Sequence, residues 1–285
     1  MTQAIIAIKR RMKSIGNIRK ITRAMEMVSM SKLNRVRSAL FASRHYCGKL
    51  ESIINDFLSA VGSVSHPLLE KRAGNGKIGV CIITSDTGLC RTYNQAVIRA
   101  CESFMSGFRK EDIILLAVGK EGHHHFMKAG FDISGSYLEL HGKYIVKSAE
   151  KIVDDLISLF LTEGLGEVYV AYTHFETTLR HKPKVEKFLN IECSLARSVD
   201  YIITEPDADT LAQEIIPRYL SEKFRLILLE ALTSEHAARM FAMKTATDNA
   251  NELMDALTLF RNKARQAAIT KEVIEIASAA EAMKD

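Results

Sequence analysis

From Arg218 to Asp285 the chain contains neither glycine nor proline. Those are the two residues that most readily end a helix, one through a free backbone and the other through a missing N–H. Run as one helix at ~1.5 Å per residue, the segment reaches on the order of 100 Å. No compact domain of this size needs a helix that long, so it must project. All prolines (Pro67, Pro183, Pro206, Pro217) lie in the middle of the chain, and apart from Gly16 and Gly48 every glycine falls between Gly62 and Gly166. The N-terminal arm is thus almost as free of breakers as the C-terminal one.

Periodicity points the same way. Ala246, Ala250, Leu253, Leu257, Phe260, Ala264 and Ala267 step by four and three in turn, which predicts a heptad seam. Ile15, Ile18, Ile21, Met25 and Val28 make a similar stripe near the other end. Alone, either helix would expose its stripe to water and aggregate. The simplest solution is an antiparallel coiled coil of the two arms. Between them the pattern changes to short alternating units. IGVCIIT, DIILLAVG and EVYVAYTHF read as strands, and KPKVEKFLN as a further one at an edge. Tyr93–Phe108, about Glu121–Lys128, and Tyr144–Leu161 read as helices. The fold expected is α/β: a long coiled coil of N- and C-terminal helices with an inserted Rossmann-like domain and a partly parallel sheet. The boundaries expected are 1–60, 61–210 and 211–285.

Composition excludes several classes. No run approaches the ~18 apolar residues of a membrane span, and the first residues lack the pattern of a secretory signal. Cys47, Cys81, Cys90, Cys101 and Cys193 lack CxxC spacing and are odd in number, as expected of reduced, mostly buried thiols in a cytosolic protein. The net charge is +5. Its excess lies in residues 1–57, where Lys9, Arg10, Arg11, Lys20, Arg23 and Lys32 and their neighbours face only Glu26, Glu51 and Asp56. That arm should meet something acidic. It carries neither interleaved aromatics nor a nucleic-acid reader motif, so a protein partner is the better reading.

The chemistry on offer is thin. In KIGVCIITSDTGLCRTYNQAV a strand meets a turn and then a helix, the place of a phosphate cradle or a nucleophile elbow. Gly88 alone does not make the glycine pattern of a cradle, and Arg91 and Thr92 stand where small residues are wanted. The turn reads as structural, with Asp86 capping the next helix and Gly88 supplying the turn conformation. The competing reading is a free-standing α/β enzyme with a Cys90 nucleophile, assisted by Asp86 and a histidine. His123, His124 and His125 point ~100° apart on a helix and cannot share one tetrahedral ion. No metal or cofactor is expected. In the C-terminal arm TATDNANE is rich in mediocre helix formers, which implies selection for specific polar contact with a partner.

Three segments carry a resemblance. IRKITRAMEMVSMSKL (Ile18–Leu33), SEHAARMFAMKTATDNANELMDALTLFRNKARQAAITKEVIEI (Ser234–Ile276) and the TSDTGLC turn closely resemble the gamma subunit of F-type ATP synthases. The likeness is strong at both ends and looser in the middle. It implies a non-catalytic central-stalk subunit whose coiled coil enters a ring of three alpha and three beta subunits. Its α/β body would touch the epsilon subunit and the c-subunit ring, so the chain would be peripheral to a bacterial inner membrane, on its cytoplasmic face. Torque carried by such a shaft would couple proton flow to ATP synthesis by shifting conformational populations of the beta subunits. By the same resemblance Met25, Arg239, Gln266 and Thr270 contact beta subunits, and Glu205 faces the c ring. The family's usual turn is SDRGLCGG; here Thr87 replaces the basic residue, and Arg91 and Thr92 replace two glycines, so the resemblance does not carry over the backbone path or an epsilon contact there, and it leaves the shaft untouched.

Overall fold

Helix breakers set the ends of the elements. The computed structural model describes residues 2–61, 66–69, 76–140, 145–191 and 207–283. Helix α1 spans Thr2–Val61, and helix α5 spans Ala208–Ala282. Between them come β1 (Ile78–Ile83), α2 (Tyr93–Met105), β2 (Ile113–Val118), α3 (Lys120–Lys128), β3 (Ile133–Tyr137), α4 (Ile145–Thr162), β4 (Glu167–Phe175) and β5 (His181–Leu189). The chain divides into two compact units: Met1–Met30 with Arg239–Asp285, and Ser31–Ala238.

In the larger unit one sheet runs β3-β2-β1-β4-β5. Its first four strands are parallel, and β5 pairs antiparallel with β4. This is the strand order of a doubly wound domain closed by one antiparallel edge. Alternation along the strands divides the core. Ile78, Val80 and Ile82 of β1, with Ile113 and Leu115 of β2, pack against Val97, Cys101 and Met105 of α2 and Phe126 of α3. Cys81, Ile83, Leu116 and Val118 face the other way. There they meet Ile152 and Leu156 of α4, Ile54 and Phe57 of α1, and Ile216, Leu220 and Phe224 of α5. Both long helices therefore lay part of their length on the sheet face that α4 also covers.

Two elements depart from the sequence reading. β3, ISGSY, is a strand that composition hides: Ser-Gly-Ser has weak strand preference, and pairing with β2 supplies the order. Helix α5 begins ahead of Pro217 and contains it. Asp207 caps its start, accepting hydrogen bonds from the Thr210 N–H (3.1 Å) and hydroxyl (2.8 Å), which hold its carboxyl below the usual range. Burial of Ala212, Ile216 and Leu220 carries the helix through the proline. Pro183 lies in β5, an edge strand, where a missing donor is tolerated.

In the smaller unit α1 and α5 pair antiparallel. Thr22 Oγ1 lies 2.8 Å from Thr247 Oγ1, and Arg19 donates to Asn251 Oδ1 at 3.4 Å. Met254 Cε stands 3.5 Å from the place of a Gly16 side-chain carbon. Each hydroxyl also reaches a carbonyl of its own helix, Thr22 that of Arg19 at 3.1 Å and Thr247 that of Met243 at 2.8 Å, so either can donate across the pair. The expected coiled coil is present, but its seam is half shifted. On α5 the inward positions are Met243, Thr247, Ala250, Met254, Leu257, Arg261, Ala264 and Ala268. Ala250, Leu257 and Ala264 belong to the expected stripe, whereas Leu253 (51% exposed) and Phe260 (60%) point outward. On α1 the inward positions include Ile8, Met12, Ile15, Thr22 and Ser29, while Ile18, Ile21 and Val28 are exposed. Counting apolar residues selected a neighbouring stripe because the true seam is partly polar.

Gly119, between β2 and α3, has φ +93, and a methyl group there would collide with the Thr84 carbonyl oxygen. Gly119→Ala is expected to lose more than ~2 kcal/mol, since both backbone strain and overpacking act at once; urea denaturation of the purified chain measures it.

Candidate functional site

The turn after β1 is the first place to look for chemistry. Asn94, in the first turn of α2, accepts the Ser85 N–H at 3.0 Å and donates to the Ser85 hydroxyl at 2.7 Å and to Cys90 Sγ at 3.4 Å. Cys90 is buried and packs on Tyr93 and Ala238. Its sulfur is thus held inside the turn, and the histidine triplet lies elsewhere, on α3, with His125 against Glu102 at 2.7 Å. No group of three metal-binding side chains occurs among the described residues. Asp86 does not cap α2, whose N-cap is Thr92. Its carboxylate instead accepts the N–H of Lys120 (3.3 Å) and of Glu139 (3.0 Å), tying the turn to the start of α3 and the end of β3. Nor does Gly88 supply the unusual backbone: Leu89 (φ 63) and Arg91 (φ 53) do. Arg91 occupies a conformation that glycine takes freely and a side chain takes at a cost.

The second place is the helix pair of the smaller unit. Met25 is half-buried, Arg239 is buried, and Gln266 and Thr270 are exposed. Arg239 and Thr270 are 31 residues apart on one helix, on the order of 45 Å. Such spacing cannot form one reacting centre. It suits contacts made at several levels. Glu205 lies outside the described residues. What apolar counting missed is the surface: Ile18, Ile21, Met27, Val28 and Met30 on α1, and Leu253, Leu259 and Phe260 on α5, are more than half exposed or at that level. The 16–254 and 19–251 pairings place Thr2 level with about Ala268, and from Ile269 to Ala280 every residue is exposed. Extending the three-four spacing backward from Leu33, Leu40 and Cys47 would have found the true seam and, by difference, this outward face.

Comparison with known proteins decides the family. A family model described as ATP synthase matches residues 4–283. The ATP synthase gamma chain of Protochlamydia amoebophila is 39% identical over 281 residues, covering 97% of this chain and 98% of its own. That of Alkaliphilus metalliredigens is 35% identical over 285 residues, with 97% and 98% covered.

The chain belongs to the ATP synthase gamma-chain family.

Solved structures agree on the fold. A chain of the Euglena gracilis mitochondrial ATP synthase, in its OSCP/F1/c-ring structure, superposes with a TM-score of 0.72 at 14% identity, covering 99% of this chain and 95% of that one. One from the central stalk and c ring of the Tetrahymena thermophila enzyme gives 0.61 at 24% identity, covering 79% and 99%. The coiled coil with an inserted Rossmann-like domain is thus a gamma-chain fold, and the free-standing Cys90 enzyme has no support. No described helix is long and apolar enough to cross a membrane.

Arg91→Gly is expected to stabilise this gamma-family chain by ~1 kcal/mol, the cost of the left-handed conformation for a side chain; a higher urea midpoint at unchanged slope reports it. Burial also pushes thiols up, Cys47 to about 11 and Cys101 to about 12, from the ordinary 9. The folded chain keeps these protons where the unfolded chain loses them. Their stabilising contribution is therefore full below pH 9 and lost as pH rises toward 11 and 12, so the thermal midpoint should fall progressively over that range.

Proposed function

We propose that this chain is the rotating central shaft of an F-type ATP synthase, coupling rotation of the membrane c ring, driven by proton flow, to ATP synthesis in the beta subunits. One observation carries the reading: the paired helices show apolar side chains on their outer surface as well as along their seam. A coiled coil that works alone buries one stripe and solvates the rest. Here Ile18, Ile21, Val28, Leu253 and Phe260 face outward, and Ile269, Val273, Ile274 and Ile276 follow on an exposed stretch of α5. Apolar surface of this extent on both helices calls for a sleeve of partner protein. The bases Arg10, Lys20, Arg23 and Lys32 on the same arm attract an acidic lining without specifying one angle.

In this reading the sleeve is a ring of three alpha and three beta subunits, and the chain itself breaks no phosphoanhydride bond. Met25, Arg239, Gln266 and Thr270 meet beta subunits at successive levels, and Glu205 faces the c ring. Residues 1–60 and 211–285 form the shaft. Residues 61–210 form the foot, beside the epsilon subunit, at the cytoplasmic face of a bacterial inner membrane.

The test is ATP hydrolysis by purified alpha and beta subunits with and without this chain, run beside size-exclusion chromatography. Co-elution as one complex with sharply raised hydrolysis is expected. Each polar contact is worth on the order of 1 kcal/mol, so Gln266→Ala with Thr270→Ala should weaken the complex roughly thirtyfold. A chain that elutes alone and leaves hydrolysis unchanged overturns the reading.

A further inference from the structure

Where α1 and α5 lie on the sheet, an apolar core joins them to it. Apolar attraction has no direction of its own, and packed helices can still make small shears past one another. One place differs. At the C-terminal end of β4, Glu230 of α5 is buried, its side chain 6% exposed. Its Oε1 accepts Arg44 of α1 twice, from Nη2 at 2.8 Å and Nε at 3.1 Å. Its Oε2 accepts His174 Nδ1 of β4 at 2.5 Å. The same Arg44 Nη2 donates to the Phe175 carbonyl at 2.5 Å. One turn further along α5, the Ser234 hydroxyl donates to the Thr173 carbonyl at 3.3 Å. Tyr93 of α2 donates to the Ala231 carbonyl at 3.0 Å. Three consecutive residues of β4 and three elements around it are thus joined by directed bonds over barely more than one helical turn.

From this we infer that Arg44, Glu230 and His174 are the torque coupling of the shaft: they lock the register of both long helices to the sheet, so that a turning body turns the helices. The inference rests on the shaft reading above. Burying a charge pair gives little net stability, because desolvation offsets the attraction; what it gives is fixed geometry, here through two nitrogens of one rigid guanidinium on one carboxylate oxygen. Arg44, Glu230 and His174 are positioning residues, acting on the helices rather than on nucleotide.

ATP synthase assembled with this chain in membrane vesicles supplies the test, with ATP-driven proton uptake measured against ATP hydrolysis. A merely structural role would lower both in proportion and keep their ratio. Since charge-assisted bonds are among the strong ones, Arg44→Met and Glu230→Gln are expected to lower uptake per ATP hydrolysed roughly threefold or more, with hydrolysis largely kept. The exchange of Arg44→Glu with Glu230→Arg should restore part of the ratio. An unchanged ratio in an assembled Glu230→Gln complex overturns the inference. So does failure of that near-isosteric variant to assemble, which would make the cluster a folding element. A wild-type chain that never joins alpha and beta subunits would instead bring down the shaft reading, and the two failures are distinguishable.

Discussion

Burial of one face of a twisted sheet governs the larger unit. That face is apolar and must be covered. α4 covers part of it as an ordinary crossover helix, and the remainder is covered by the middle stretches of α1 and α5. Neither long helix could fold by itself to any useful extent, since helical stability in proteins comes from the packed face. Drawing both onto the same sheet face brings a stretch from the first half of the chain beside one from its last third. The pairing of Ile54 and Phe57 with Ile216, Leu220 and Phe224 in one core is what lets residues so distant in sequence share a register.

In the smaller unit the logic changes. Thr22, Ser29 and Thr247 occupy buried seam positions that a stability-driven coiled coil would give to leucine or valine. Polar layers cost stability and fix register, and the Thr22–Thr247 bond does the latter. The apolar residues set aside from the seam reappear outside. The two facts are one pattern: a polar-centred pair with several of its large apolar side chains facing outward.

Much of this was legible in the sequence. The absence of Gly and Pro after Arg218 announced the long helix, and β-branched runs announced β1, β2 and β4, because both signals act locally. The coiled coil was legible, but its seam only in alternate positions. Leu253 and Phe260 point outward, and hydropathy alone cannot say whether an apolar residue will enter the core of its own chain. β3 was hidden because its order comes from pairing with β2 rather than from its own residues. The same holds for Asp86, whose acceptor role depends on α3 and β3 arriving from elsewhere in the chain. Likewise Arg44, His174 and Glu230 are spread over 186 residues of sequence, with no spacing to connect them.

Edge strand β5 has a consequence of its own. A sheet that ends in an open strand offers a row of backbone donors and acceptors to any extended chain nearby. Here Pro183 interrupts the row of donors, and Lys182, Lys184 and Lys187 put positive charge along the same nine residues. Such chains include the unfolded segments of any protein nearby. The proline and lysines of β5 make its last strand a poor template for them.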